Sequence, residues 1–369
     1  MSDSITLARM LTGAADLPSH SLEPVKSARL ADLARIHGVH ALLYSLLDEC
    51  ALRNEHNLRK AAFRQSAVFR LQDRELERLC RGLHEADIRY LLIKGAALCH
   101  QIYPSPELRP RVDTDILVEK SSLVEVKGAL SALGYEPIVA HDGGLVSYQT
   151  GMRYTDECSL THTVDIHWRL TNRHEYRDIL GFESIYGSAV QISRFPFTVC
   201  APNRVYALCL AGLHLVGHHS DAPRLIWLYD MHLLLQQMAD DEIDDFVALI
   251  HDHGLNDVAS QALGELHRHI SAEHVPDILS RLGGQQGAAL QIESRRALMI
   301  SNLRSFPTLS GRFKYLLALA FPRIEYMEQQ FNPGSKLLIP WYYVYRIFRG
   351  GRKLLGARPV KASRSDHRH

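Results

Sequence analysis

The stretch Ile88–Lys94, IRYLLIK, limits the fold more than any other part of the chain. It is a short apolar run rich in strand formers, and it passes without a linker into GAALCHQIY, which has helical spacing. A strand that turns straight into a helix at Gly95 belongs to an α/β layer. The next segment, PSPELRP (104–110), carries three prolines in seven residues and has to be a loop. VDTDILV then reads as a second strand. SSLVEVKGALSALG predicts a helix that starts with a Ser122–Glu125 capping box and carries an apolar stripe of Leu123, Val126, Leu130 and Leu133. Gly134 fits the position just past its end.

EPIVA, LVSYQTGMRY and LTHTVDIHWRL follow, separated by glycine or acidic turns, and fit antiparallel strands. In the last of them Leu160, His162, Val164, Ile166 and Trp168 share one face, while Thr161, Thr163, Asp165 and His167 share the other. Upstream, from about Ser27 to Leu83, the period is helical, with Phe69, Leu76, Leu79 and Leu83 on one stripe. After Pro202 it is helical again to about Arg346, with breaks at Gly283-Gly284 and Pro333-Gly334. The expectation is an α/β (α+β) fold with a mixed-sheet core at 86–200. An N-terminal helical region (1–85) and a C-terminal helical domain (201–345) flank it, and a basic tail (346–369) ends the chain.

A chain of 369 residues fits two or three packed units, and 46% hydrophobic with 22% charged residues is a globular balance. The net charge of +1 gives no global field to draw the protein onto nucleic acid. Charge is uneven, however: from Arg346 onward there are eight Lys/Arg and one acid, Asp366. Cys50, Cys80, Cys99, Cys158, Cys200 and Cys209 are scattered with no CxxC pair, which predicts reduced thiols rather than a zinc ribbon or a disulfide frame. The N-terminus lacks the pattern of a signal peptide, and apolar runs such as YLLALAF (315–321) are too short to span a bilayer. The expected setting is the cytoplasm.

The chemistry concentrates in LRPRVDTDILVEK. Residues i and i+2 of a strand project from one side, so Asp113 and Asp115 are placed to share a cation. Two carboxylates that close repel each other and lose hydration, which a hard divalent ion such as Mg²⁺ offsets while keeping waters and phosphates as its other ligands. Asp165 would complete a site for two ions, the arrangement that activates an attacking oxygen and stabilises a leaving one. The plainer alternative is an acid pair at the wet end of a strand, with Asp165 facing water.

Taken together, LLIKGAAL, LRPRVDTDILV and VDIHWRL resemble the uncharacterised nucleotidyltransferase family of bacteria, within the polymerase-beta-type nucleotidyltransferase superfamily. The resemblance extends to ADLARIHGVHALLYSLL, RLIWLYDMHLLL and FPRIEYM, and so covers most of the chain. It implies a metal-dependent transfer of a nucleoside monophosphate from a nucleoside triphosphate, with Mg²⁺ as cofactor and Mn²⁺ as its substitute. It also implies Gly95 as the phosphate-loop glycine, Asp113 and Asp115 as the metal pair, and Asp165 as the third carboxylate. Helix N–H groups beside a bare glycine suit phosphate. Ala96 stands where many members carry Ser, so one hydroxyl contact is missing, and the Gly95-to-Asp113 gap is longer than in minimal members.

Lys94 and Arg109 are candidates for the triphosphate, or else partners of nearby acids. His167 is a further ligand or base, or else a structural histidine. His214 and His218 lie at i, i+4 with Asp221 or Asp230 as a third zinc donor, but no HExxH glutamate accompanies them, so a core or pocket histidine pair is the alternative. His167, His214, Arg224 and Asp230 are acceptor-site candidates. The tail interleaves aromatic and basic residues, which fits either contact with an anionic partner or a last helix packed on the body. The acceptor is open among a small molecule, a peptide or protein, and RNA. The competing reading is a non-catalytic nucleotidyltransferase-fold partner in a biosynthetic pathway.

Overall fold

A computed structural model describes residues 3–13, 24–47, 56–142, 144–218, 223–283, 295–332 and 334–355. Four helices come first: α1 (Asp3–Leu11), α2 (Pro24–Ile36), α3 (His40–Leu46) and the long α4 (His56–Glu85). The mixed core follows, with β1 (Tyr90–Ile93), α5 (Lys94–Gln101), β2 (Thr114–Val118), α6 (Leu123–Ala132), β3 (Glu136–Asp142), β4 (Gln149–Thr155) and β5 (Thr161–His167). A short helix α7 (Phe182–Tyr186) leads to a small hairpin, β6 (Val190–Gln191) and β7 (Cys200–Ala201). The rest is helical: α8 (Arg204–His218), α9 (Leu225–Gln237), α10 (Asp240–Asp252), α11 (Asn256–His269), α12 (Val275–Arg281), α13 (Arg295–Arg304), α14 (Leu309–Ala320), α15 (Ile324–Phe331) and α16 (Ile339–Leu355).

The main sheet has the order β1-β2-β5-β4-β3. β2 and β5 are parallel, and every other pair is antiparallel. Period-two alternation divides the strand side chains between two cores. Tyr90 and Leu92 of β1, Ile116 and Val118 of β2, and Val164 and Ile166 of β5 pack with α4 and α6. Leu91, Ile93 and Leu117 belong to the larger core, which holds α1–α3 and α8–α12. Asp115 alternates with Ile116, and Asp165 with Val164 and Ile166, so both carboxylates face the α8–α9 side. Both faces of the sheet are covered, and β2 is buried along its whole length.

The Phe69, Leu76, Leu79, Leu83 stripe of α4 is buried as expected. α6 ends in a Schellman motif: Gly134, at φ +84°, donates to Ser131 O and Tyr135 N–H reaches Leu130 O. Its start differs from expectation. Ser122 caps α6 without a side-chain hydrogen bond, because a 3-10 turn over Lys120–Ser122 already leads the chain into the helix. The strand boundaries also shift. β2 begins at Thr114, so Asp113 stands ahead of the strand and the i, i+2 argument does not apply to it. Lys94 opens α5 rather than closing β1, and its φ of +52° is left-handed. The Gly283-Gly284 break and the tail beyond Leu355 lie, in part or whole, outside the described residues.

Leu92, at 0% exposure between β1 and α4, tests the smaller core. Leu92→Ala is expected to cost about 2–5 kcal/mol in urea unfolding. Val124→Ala, on the face of α6 that is 82% exposed, should stay within about 0.5 kcal/mol.

Candidate active site

The parallel register of β2 and β5 sets Asp115 opposite Asp165 and Leu117 opposite His167. Asp115 is buried and holds two partners on one oxygen: Lys94 Nζ lies 2.7 Å and His167 Nε2 2.8 Å from Oδ1. Lys94 Nζ is also 3.4 Å from His167 Nε2. A carboxylate accepts only, so His167 presents an Nε2–H to Asp115. Burial alone would raise the Asp115 pKa, but the Lys94 ammonium and the His167 hydrogen bond hold it well below the usual carboxylate range. Burial and the Lys94 charge push His167 down, which favours a neutral ring whose lone pair is on Nδ1 while Nε2–H faces Asp115.

Asp165 is oriented from the other side. Gln149 Nε2 donates to its Oδ2 at 3.1 Å, and Asn172 Nδ2 donates to Gln149 Oε1 at 3.0 Å. Burial and the neighbouring Asp115 raise Asp165 to about 6. Asp113, in the turn before β2, is raised to about 6 by burial, Asp115 and Asp165. Asp115, Asp165 and His167 each offer a ligand atom within 4.8 Å of the others, and this is the group among the described residues close enough to hold a metal ion. Two acids and one neutral imidazole suit a divalent cation, and the ammonium at Asp115 marks where positive charge is favoured. Asp113 lines the same cavity but stands outside that group.

The cavity is about 570 Å³ and opens between the sheet and α8–α9. Lys94, Gly95, Asp113, Asp115 and Asp165 line one side; Leu210, His214, Arg224 and Trp227 line the other. His214 meets Trp227 edge-on, ring centroids 5.4 Å apart. His214 is not part of the metal group, and the side chain of His218 lies outside the described residues, as does Asp221. Arg224 donates Nε to Ile36 O at 3.2 Å and sits over the Trp227 ring, with its pKa lowered by burial and by Arg109.

Arg109 lines the cavity, with its guanidinium directed at Asp230. Its Nε and Nη2 grip Asp230 at 2.9 and 2.6 Å, Tyr103 donates its hydroxyl to Asp230 Oδ1 at 2.7 Å, and all three are buried. Gly95 serves this pair: a Cβ there would meet Arg109 Nη1 at 2.9 Å, and that guanidinium is fixed by Asp230 and by the Pro110 carbonyl. Ala96 directs its methyl into the core shared with α4 and α6 and does not line the cavity, so a hydroxyl there would not have met a ligand in it. Sequence reading missed Gln149, Asn172, Trp227 and Tyr103. Only the period-two relation of Gln149 to the conspicuous strand around Gly151 gave a signal for any of them.

Two measurements follow. Asp230→Ala strands the buried Arg109 charge and is expected to cost about 3–5 kcal/mol in denaturant melts. Asp113 and Asp165 take up protons in the folded, metal-free state well above the ordinary carboxylate value of 3.8. The folded chain therefore binds more protons than the unfolded one across that window, and their contribution to stability falls as pH rises from 3.8 to about 6. Divalent-ion binding has the opposite slope. Calorimetric titration with Mn²⁺ should show affinity strengthening as pH rises through about 6.

Compared with known protein families, residues 23–271 match the family described as uncharacterised nucleotidyltransferase. No curated protein matches the chain. The matched span contains the whole sheet and every residue that lines the cavity, from Gln65 to Asp230. With well over half of its length matched, this chain belongs to the uncharacterised nucleotidyltransferase family.

Proposed function

We propose that the protein moves a nucleoside monophosphate from a nucleoside triphosphate to an acceptor hydroxyl or phosphate. The acceptor oxygen bonds to the α-phosphorus, the bond from that phosphorus to the bridging oxygen breaks, and pyrophosphate leaves. The observation that carries this reading is the side-by-side placement of Asp115 and Asp165 on parallel strands, with His167 beside them at the wall of a cavity of about 570 Å³.

Asp115, Asp165 and His167 would hold a divalent ion, Mg²⁺ or Mn²⁺, with Asp113 alongside. Such an ion supplies charge that binds the phosphates and stabilises the departing pyrophosphate. The chain's own groups do the rest. Asp165, held through Oδ2 by Gln149, is the carboxylate placed to help take the acceptor proton. Lys94 sits at the cavity wall on a long flexible stem. Its ammonium now neutralises Asp115 and is the group that can turn to a phosphate oxygen once Asp115 takes another ligand. Arg109, bonded to Asp230 and to the Pro110 carbonyl, acts by positioning, pinning the proline loop to α9. His214, Arg224 and Trp227 form the opposite wall, where the acceptor would lie.

One observation favours a second reading. Lys94 and His167 already satisfy Asp115, as they would in a protein that keeps the fold for binding alone. A panel of α-labelled nucleoside triphosphates, incubated with Mg²⁺ and candidate acceptors, separates the two. Asp165→Asn should lower transfer by about 10²–10⁴-fold. The Asp113→Ala/Asp115→Ala pair should lose both transfer and calorimetric binding of Mg-nucleotide. If wild type and that pair behave alike, and neither binds Mg-nucleotide, the enzyme reading fails.

A further inference from the structure

The helices beyond the family match carry the least explained surface of the protein. α14 and α16 pack on each other, Arg346 Nη2 donating to Leu319 O at 3.3 Å and the Tyr343 ring lying 5.7 Å from Phe321. The inner side of α16 is accounted for: Tyr343 donates its hydroxyl to Pro322 O at 2.5 Å, and Tyr342 stacks on Phe331. Its outer side is not. Trp341, Val344, Tyr345 and Phe348, spaced i, i+3, i+4, i+7, form one stripe and all are exposed, Trp341 by 69% and Phe348 by 68%, with the Tyr345 ring also meeting Phe331 edge-on at 6.1 Å. On α14, Leu309, Phe313, Leu316 and Leu317, spaced i, i+4, i+7, i+8, are also exposed on one face, and Leu337, in the turn before α16, is 89% exposed.

Charge identifies what this surface fits. Neither α14 nor α16 contains an acidic residue, whereas Arg312 and Lys314 lie on the first and, besides the inward-bonded Arg346, the second carries Arg349, Arg352 and Lys353. The sequence from Arg346 onward adds to this, with eight Lys/Arg against Asp366 alone. A helix whose apolar stripe carries Trp, Tyr and Phe, with arginines interleaved, lies in the plane of a lipid interface. Its rings enter the headgroup boundary and its cations meet anionic headgroups. α16 has 17 residues, about 25 Å of helix, and would lie along such a surface. No helix among the described residues is long and apolar enough to cross a membrane, so the contact would be peripheral.

We propose that α14 and α16 form a docking face for an anionic lipid surface. It is independent of the catalytic reading, since none of its residues lines the cavity. The test is flotation of the full chain with phosphatidylcholine vesicles, with and without phosphatidylglycerol. The wild type should float with the anionic vesicles and remain behind with the neutral ones, and salt should weaken the binding. Trp341→Ser/Phe348→Ser should reduce the bound fraction at least about tenfold, and Arg349→Glu about fivefold, with circular dichroism melts unchanged because all three side chains are exposed. Wild type that fails to float with anionic vesicles overturns the proposal. So does a double variant that floats as well as wild type. Absence of flotation together with a dimer that the double variant dissolves overturns it in favour of a face between two copies of the chain.

Discussion

The buried pair of Arg109 and Asp230 closes a gap of 121 residues and sets the geometry of everything around the cavity. Two opposite charges removed from water pay back their lost hydration only where the hydrogen bonding is complete. Here Arg109 meets both carboxylate oxygens, Tyr103 adds a third donor, and the Pro110 carbonyl takes another guanidinium N–H. The consequence is positional. The proline loop is pinned to α9 through Arg109 and to α4 through Arg111, which exchanges hydrogen bonds with Gln72 on both backbone and side chain. A loop clamped at both of these arginines delivers the chain to Thr114 in one register, and Asp115 then faces the cavity.

That register crowds one wall of the cavity with carboxylates: Asp113, Asp115 and Asp165 share it, and Lys94 bonds to Asp115. Lys94 does so from a left-handed backbone at φ +52°, a conformation that costs a non-glycine residue about 1–2 kcal/mol. The strained junction exists because β1 runs into α5 with no intervening residue, and the turn swings the lysine stem toward Asp115. Lys94 satisfies only one of the three carboxylates. Burial and the neighbouring carboxylates push the other two, Asp113 and Asp165, up to about 6. A divalent ion would relieve that crowding of carboxylates, since it brings two positive charges to one point.

Much of this frame is written in local sequence. The change from helical to alternating period marked the sheet, the alternation in LTHTVDIHWRL put Asp165 and His167 on one face, and Gly134 ended α6, because each depends on neighbours a few residues apart. What stayed hidden depends on pairing across the chain. Nothing near Arg109 distinguishes a phosphate ligand from the partner of an aspartate on α9. Gly95 and Ala96 read as a phosphate cradle, yet the glycine makes room for a guanidinium and the alanine faces the core. Asp113 lost its place in the pair to a strand that starts one residue later. His167 became the third member of the metal group only because β5 lies parallel to β2, a topology that the antiparallel look of its neighbours did not announce.

The C-terminal helices are tied to this site by one loop. His174 lies against Phe306 and Tyr315, with ring centroids 4.7 and 4.9 Å away, and its backbone N–H donates to Asn302 Oδ1. Two residues earlier, Asn172 holds Gln149, which holds Asp165. Tyr148 bridges the two ends: its backbone N–H donates to Asn172 Oδ1 at 2.7 Å, and its hydroxyl is 2.7 Å from His174 Nδ1. α15, meanwhile, packs over β3, the edge strand whose free backbone groups would otherwise be open to pairing. The added helices therefore shield the sheet on one side and brace the support of Asp165 on another.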